Sequence, residues 1–161
     1  MLTTRPIALV SPAGPVVLLA AASDDFEALL ALRIAAMRES LAHLGRFDPD
    51  RARARFQSSF SAAHTWHIEA GGQRVGFLAV KPLGDDLLLD HFYLHPDGQR
   101  QGIGAAVLGQ VLDEARVAGR SVRVTALRGS ASNRFYERHG FVRVDQGEFD
   151  NHYLWTGERG R

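Results

Sequence analysis

Cysteine is missing altogether from the 161 residues. Its absence excludes disulfides, thiolate metal sites and any acyl-cysteine intermediate, and it fits a cytoplasmic chain indifferent to redox state. Membrane-length hydrophobic runs are missing as well. A short apolar stretch near the amino terminus, Val16–Ala22, has seven residues, against the roughly 20 that a bilayer requires. It ends in Ala20-Ala21-Ala22-Ser23, faintly like a secretory cleavage site. Arg5 alone supplies positive charge before it, however, and Pro6, Pro12, Gly14 and Pro15 interrupt it, so a first β-strand is the better reading. Nor does one sign of charge dominate: 19 Lys and Arg against 18 Asp and Glu leave +1. Neither nucleic acid nor a membrane surface is therefore expected as the principal partner.

A metal site is not expected either. The H-E-x-x-H pattern does not occur among the seven histidines. His91 and His95, four apart in an extended strand, would stand roughly 13 Å from each other, and His64 and His67 fall on opposite faces of a strand.

What is present suits a single globular domain over residues 1–161, since 45% apolar residues can fill a sizeable core. After the strand Val16–Ala20, Ser23-Asp24-Asp25 reads as a helix start. Apolar residues then recur at helical spacing from Phe26 to about Leu44. A second helix is expected over about Asp50–Phe60, with Arg51, Arg53 and Arg55 on it as a solvated face or a lip for an anionic group. Thr65–Ala70 and Arg74–Lys81 alternate around Gly71-Gly72, a hairpin pattern. Leu87–Leu94 is the central strand. A helix over 101–118 stops at Gly119, Ser121–Ala126 is a β-branched strand, and Ser130–His139 is a helix stopped by Gly140. Phe141–Val144 and Tyr153–Thr156 complete seven strands. The expected architecture is α/β (α+β), with a mixed sheet and helices on both faces.

The stretch that carries chemistry lies between central strand and long helix: Gln99-Arg100-Gln101-Gly102-Ile103-Gly104. The first N–H groups of a helix lack partners within it, and the aligned peptide dipoles make that end partly positive. Gly102 and Gly104 carry no side chain, so a diphosphate could lie directly on the backbone. A dinucleotide fingerprint would need a third glycine where Val107 stands, and the G-x-x-x-x-G-K-[ST] phosphate loop is absent.

Leu94–Gly104 resembles motif A of the GNAT superfamily of acyl-CoA-dependent N-acyltransferases, whose core [RQ]-x-x-G-x-[GA] is met by Gln99, Gly102 and Gly104. About thirty residues on, Phe135-Tyr136-Glu137-Arg138-His139-Gly140-Phe141 resembles motif B, a helix bearing a tyrosine and ending at Gly-Phe. The resemblance implies a mostly antiparallel sheet with a splay between the fourth and fifth strands. It implies an acyl-CoA-binding core over about 65–156 and an acceptor-shaping region over about 23–62. Acetyl-CoA is the implied cosubstrate, a small-molecule or peptide amine the implied acceptor, and a homodimer is common in look-alikes.

Residue roles follow from the same likeness. Diphosphate-binding amides are placed at Gln99, Arg100, Gln101, Gly102, Ile103, Gly104 and Ala105. The pantetheine arm is placed along Phe92, Tyr93 and Leu94, with a backbone donor near Leu94 polarising the thioester carbonyl. Tyr136 occupies the general-acid position, and a phenol with a pKa of about 10 holds a proton to give at neutral pH. Many relatives carry an asparagine six or seven residues before that tyrosine. Here Ser130 and Gly129 stand there and Asn133 lies one turn closer, so Ser130 (alternatively a helix cap) or Asn133 is expected at the cofactor. The base or amine anchor is left among Asp90, His91, Asp150, His152 and a water chain. Arg33, Arg38, Glu39, His43 and the arginines of 46–55 are candidate acceptor contacts. An acyl-CoA sensor without turnover is the alternative function.

Overall fold

The computed structural model describes residues 5–11, 14–43, 45 and 48–157. Its strands are β1 (Arg5–Ser11), β2 (Gly14–Ala20), β3 (Thr65–Ala70), β4 (Gln73–Leu83), β5 (Asp86–Leu94), β6 (Val122–Leu127), β7 (Val142–Gln146) and β8 (Asp150–Trp155). The helices are α1 (Phe26–His43), α2 (Pro49–Ser59), α3 (Ile103–Ala118) and α4 (Ser132–Arg138). Strand order is β1-β2-β3-β4-β5-β6-β8-β7. Strand pairs β1–β2, β2–β3, β3–β4, β6–β8 and β7–β8 run antiparallel, and β5 runs parallel to β6. This is the mixed, mostly antiparallel α/β architecture expected. Strand β1 has no counterpart in the sequence reading because Pro6 within it argues against a strand. It lies at the sheet edge, where a residue without an N–H is tolerated. It shifts the count by one, so the fourth and fifth expected strands are β5 and β6. Their ladder, Leu87↔Val122, Leu88↔Arg123 and Leu89↔Val124, ends there, although β5 runs on to Leu94 and β6 to Leu127. That is the splay.

Cα packing divides the chain into two compact units, residues 1–79 with 91–108, and residues 80–90 with 109–161. In the first, Gly71 and Gly72 turn the β3–β4 hairpin at φ 59° and 81°, values that glycine adopts without steric cost. The registers Leu19↔His67 and His67↔Phe77 put these three on one sheet face, while Leu18 and Ile68 point to the other. Helices α1 and α2 cover the Phe77 face: Leu29, Leu30, Phe56 and Phe77 form a buried cluster with Phe26, Phe60 and Tyr93 packed on it. Phe56 is central, its ring 5.3 Å from that of Phe26 and 5.7 Å from that of Phe77. Asp48, just before Pro49, caps α2 by accepting the Asp50 and Arg51 amides, so Pro49 opens that helix rather than ending the preceding one.

Asp25 fastens the start of α1 to the sheet. Its Oδ2 accepts the Ala22 amide and lies 2.8 Å from Nε2 of the enclosed His67. The Ala22 amide and then His67 hold the Asp25 carboxyl below the usual carboxylate range. A depressed pKa stabilises the fold above the unfolded value near 3.8, and the gain is lost as pH falls through the lowered folded value. Asp25→Ala is expected to cost about 1–3 kcal/mol in urea unfolding at pH 7. Below about pH 4 the gap between wild type and variant should narrow.

The second unit alternates cleanly. Val122, Val124 and Ala126 of β6 are buried opposite Trp155, Tyr153 and Asn151 of β8, while Arg123 and Thr125 face away. On the buried face, Tyr136 of α4 packs against Phe141 and Tyr153, and the Arg116 guanidinium of α3 lies 5.2 Å above the Trp155 ring. Gly119 and Gly140 end α3 and α4 at φ 68° and 92°, as expected from the sequence. Among the described residues no helix is long and apolar enough to cross a membrane.

Candidate functional site

In the first unit the chain leaves β5 at Leu94, passes a short 3-10 turn over Pro96–Gly98, and enters α3 at Ile103. Between them Arg100 and Gly102 both take positive φ, 63° and 78°. For arginine that conformation costs on the order of 1 kcal/mol and marks a turn held by its surroundings. Two glutamines hold it: Gln99 Nε2 donates to the Leu94 carbonyl at 3.0 Å, and Gln101 Nε2 to the Asp97 carbonyl at 3.0 Å. The first amide of α3 in the ladder is Ala106, bonded to the Gly102 carbonyl at 3.1 Å. The amides of Ile103, Gly104 and Ala105 precede it and have no acceptor inside the helix. A Cβ built on Gly102 meets no protein atom within 4 Å. The requirement for glycine there is thus one of backbone conformation and of open space over the turn. This is the chemistry a diphosphate cradle needs.

This turn is mounted on β4. His95 donates its amide to the Val75 carbonyl at 2.7 Å, and a Cβ built on Gly98 would lie 3.1 Å from Val75 Cβ. Gly76 lies so close to the end of β5 that a Cβ there would clash with the Tyr93 carbonyl oxygen and come within 2.7 Å of Leu94 Cδ2. The sequence reading passed over Gly76. An isolated glycine inside a strand pattern is the signal that could have found it. Gly76→Ala is expected to shift Tyr93 and Leu94, lower stability by about 1–3 kcal/mol in urea, and weaken acetyl-CoA binding in calorimetry.

Phe92, Tyr93 and Leu94 are half-buried at the strand end. His91 is buried, with Nε2 2.9 Å from Ser59 Oγ of α2 and its ring edge-on to Phe56. It therefore faces the α2 side, the expected acceptor side. Arg33 of α1 is buried too, its guanidinium 5.7 Å from the Tyr93 ring centroid. Arg38 is exposed, and the side chains of Glu39 and His43 lie outside the described residues, as does Arg46. Arg53 is spent on a bidentate pair with Glu27 at 2.8 and 2.6 Å, the solvated-face reading of the α2 arginines. His64 falls in a 3-10 turn before β3 rather than on the strand, which begins at Thr65.

In the second unit Tyr136 sits on α4 within an aromatic cluster, 5% exposed. Asn133 is not available in the way expected. Its Nδ2 donates to the Leu127 and Ser130 carbonyls at 2.9 and 3.0 Å, and its Oδ1 accepts from Asn151 Nδ2 and Tyr153 Oη at 2.8 Å each. That side chain ties α4 to β6 and β8, leaving no polar atom over for a cofactor. Ser130 does not cap α4, whose N-cap is Ala131 with no side-chain bond; its Oγ accepts weakly from Asn133 at 3.3 Å. Burial and the neighbouring Glu137 carboxylate push the Tyr153 phenol above its ordinary value. Asp90 Oδ2 takes a hydrogen bond from Lys81 Nζ at 2.7 Å. His152 pairs with Thr125 at 3.0 Å on the face turned away from Tyr153. Among the described residues no group of three acidic or histidine side chains could hold a metal.

Comparison with known proteins adds the following. Residues 61–143 match a family model described as an acetyltransferase (GNAT) domain. The chain is 36% identical over 92 residues to N-acetyltransferase family 8 member 3 of Rattus norvegicus, covering 52% of this chain and 40% of that protein. It thus spans well under half the length of this relative. Among solved structures it resembles the PaiA N-acetyltransferase of Thermoplasma acidophilum in complex with coenzyme A, with a TM-score of 0.72 and 16% identity over 88% of this chain and 98% of that one. The ribosomal-protein-S18-alanine N-acetyltransferase of Escherichia coli gives 0.67 and 18%, over 91% and 96%.

Proposed function

Since the chain belongs to the GNAT acetyltransferase family, we propose that it moves an acetyl group from acetyl-CoA to a primary amine by direct attack in a ternary complex. The observation that carries this reading is the turn at Gln99–Gly104, where two positive-φ residues, an open glycine and a helix start come together. In this reading the amides of Gln101 to Ala105 and the positive end of α3 hold the diphosphate. The backbone of Phe92–Leu94, fixed by Val75 and Gly76, lines the pantetheine arm. When bound, acetyl-CoA supplies an acyl group already activated as a thioester. Tyr136 holds a proton at its phenol oxygen and gives it to the departing sulfur. For taking the proton of the amine, the candidates are His91, which faces the α2 side, and Asp90, which meets Lys81 instead, with Asp150, His152 and a water chain as alternatives.

The test is consumption of acetyl-CoA across a panel of primary amines and peptide amino termini, read as free thiol. The protein has no cysteine, so released coenzyme A is the one thiol in the assay. Thiol release with at least one amine, accompanied by the N-acetylated product in the mass spectrum, is expected. Tight acetyl-CoA binding with no release for any acceptor would make the chain an acyl-CoA sensor instead.

A further inference from the structure

Among the described residues of the acceptor region, Arg33 is in a situation that demands an explanation. It is 92% buried, being 8% exposed, yet it carries a full charge, because an arginine does not give up its proton inside a protein. Among the described residues it has no carboxylate and no hydrogen-bond acceptor, and its Nε is fully enclosed with no partner. Two carboxylates of α1 and the turn before it are committed elsewhere. Asp25 is engaged with His67, and Glu27 with Arg53. What Arg33 does have is the face of Tyr93, 5.7 Å from its guanidinium carbon. A cation–π contact offsets part of the cost of burying a charge, not all of it. It also leaves the in-plane N–H edges of the guanidinium uncommitted, and those edges match a carboxylate in a two-point geometry.

Tyr93 lies on the β5 end, the strand to which the proposed function assigns the reactive part of the cofactor, with His91 6.0 Å away ring to ring. We propose that Arg33 is a specificity-determining residue that binds a carboxylate carried by a substrate, which makes the reaction selective for a carboxylated amine or a carboxylated acyl chain. This rests on the transferase reading above and names its substrate class. The carboxylate completes the buried charge, and Tyr93 orients the guanidinium that receives it. A neutral substrate leaves Arg33 as it stands, buried and unpaired, and is disfavoured for that reason.

Matched pairs decide the matter and its source. With acetyl-CoA as donor, amino acids are compared with their decarboxylated amines; with one amine as acceptor, succinyl-CoA is compared with acetyl-CoA. In the wild type a preference for the carboxylated member of about 100-fold in kcat/KM is expected in one of the two series. The amine series identifies the acceptor as the source, and the donor series the acyl chain. Arg33→Met should bring that ratio to about one, whereas Arg33→Lys, which keeps the charge without the fork, should retain part of it. No preference in either wild-type series, or one that survives Arg33→Met, overturns the proposal. Calorimetry on the same pairs (N-acetyl amino acids against N-acetyl amines with coenzyme A present, and succinyl-CoA against acetyl-CoA) reads the discrimination without turnover. Discrimination in binding with no turnover would sink the transferase reading and uphold Arg33.

Discussion

Replacing Tyr136 by phenylalanine is expected to lower kcat by at least about 100-fold while acetyl-CoA affinity stays within about twofold. The substitution removes one oxygen and nothing else. Tyr136 is 5% exposed, and its ring is held at 5.4 Å by each of Phe135 and Phe141 and at 6.4 Å by Tyr153. Phenylalanine fills the same space, so the ring cluster and α4 should keep their places. What disappears is a proton donor that holds its proton at neutral pH. A thiolate expelled without an acid must leave as the anion, and the step that loses most is the chemical one, not binding. Stopped-flow turnover with a saturating amine, alongside calorimetry with acetyl-CoA, separates the two. Equal turnover in the variant would take Tyr136 out of the mechanism and leave it as a core aromatic.

The parts of this arrangement that could be read from residue order are those with local causes. Gly71-Gly72, Gly119 and Gly140 announce a hairpin and two helix ends because positive φ is a property of single residues. The alternation of Val122, Val124 and Ala126 announces a strand with one buried face. The turn at Gln99–Gly104 is legible for the same reason, since its glycines and the helix that follows are contiguous. What could not be read depends on contacts far apart in the chain. Strand β1 exists through its pairing with β2, against the grain of its proline, Pro6. Asn133 looks like a cofactor ligand until Asn151 and Tyr153, eighteen and twenty residues on, are seen to use its oxygen. The importance of Gly76 lies in a backbone seventeen residues later. Arg33 was one of several arginines in the sequence, and only burial without a partner sets it apart from Arg53, which is paired at the surface. The choice between Asp90 and His91 is of the same kind: adjacent in sequence, one meets Lys81 and the other Ser59.

Gly102→Val should abolish measurable coenzyme A binding and yet leave a folded protein. Two consequences of one Cβ are in play, and they differ in size. Against the fold, valine at φ 78° is strained, by about 1–3 kcal/mol. The strain stops there, because a Cβ at this position has no protein atom within 4 Å to push against. Against the ligand, the same atom and its two methyls occupy the space in which a diphosphate must approach the amides of Ile103 to Ala105. A displacement of an ångström or more breaks hydrogen bonds to charged oxygens, each worth about 1.5–3 kcal/mol. Losing two of them is a fall in affinity of about 100-fold or more. Gly102→Ala, with the Cβ but without the methyls, should fall between. Circular dichroism and a thermal melt verify the fold, and titration with coenzyme A reads the affinity. Undiminished binding in the valine variant would mean that the phosphates rest elsewhere, and with them the whole assignment of the turn.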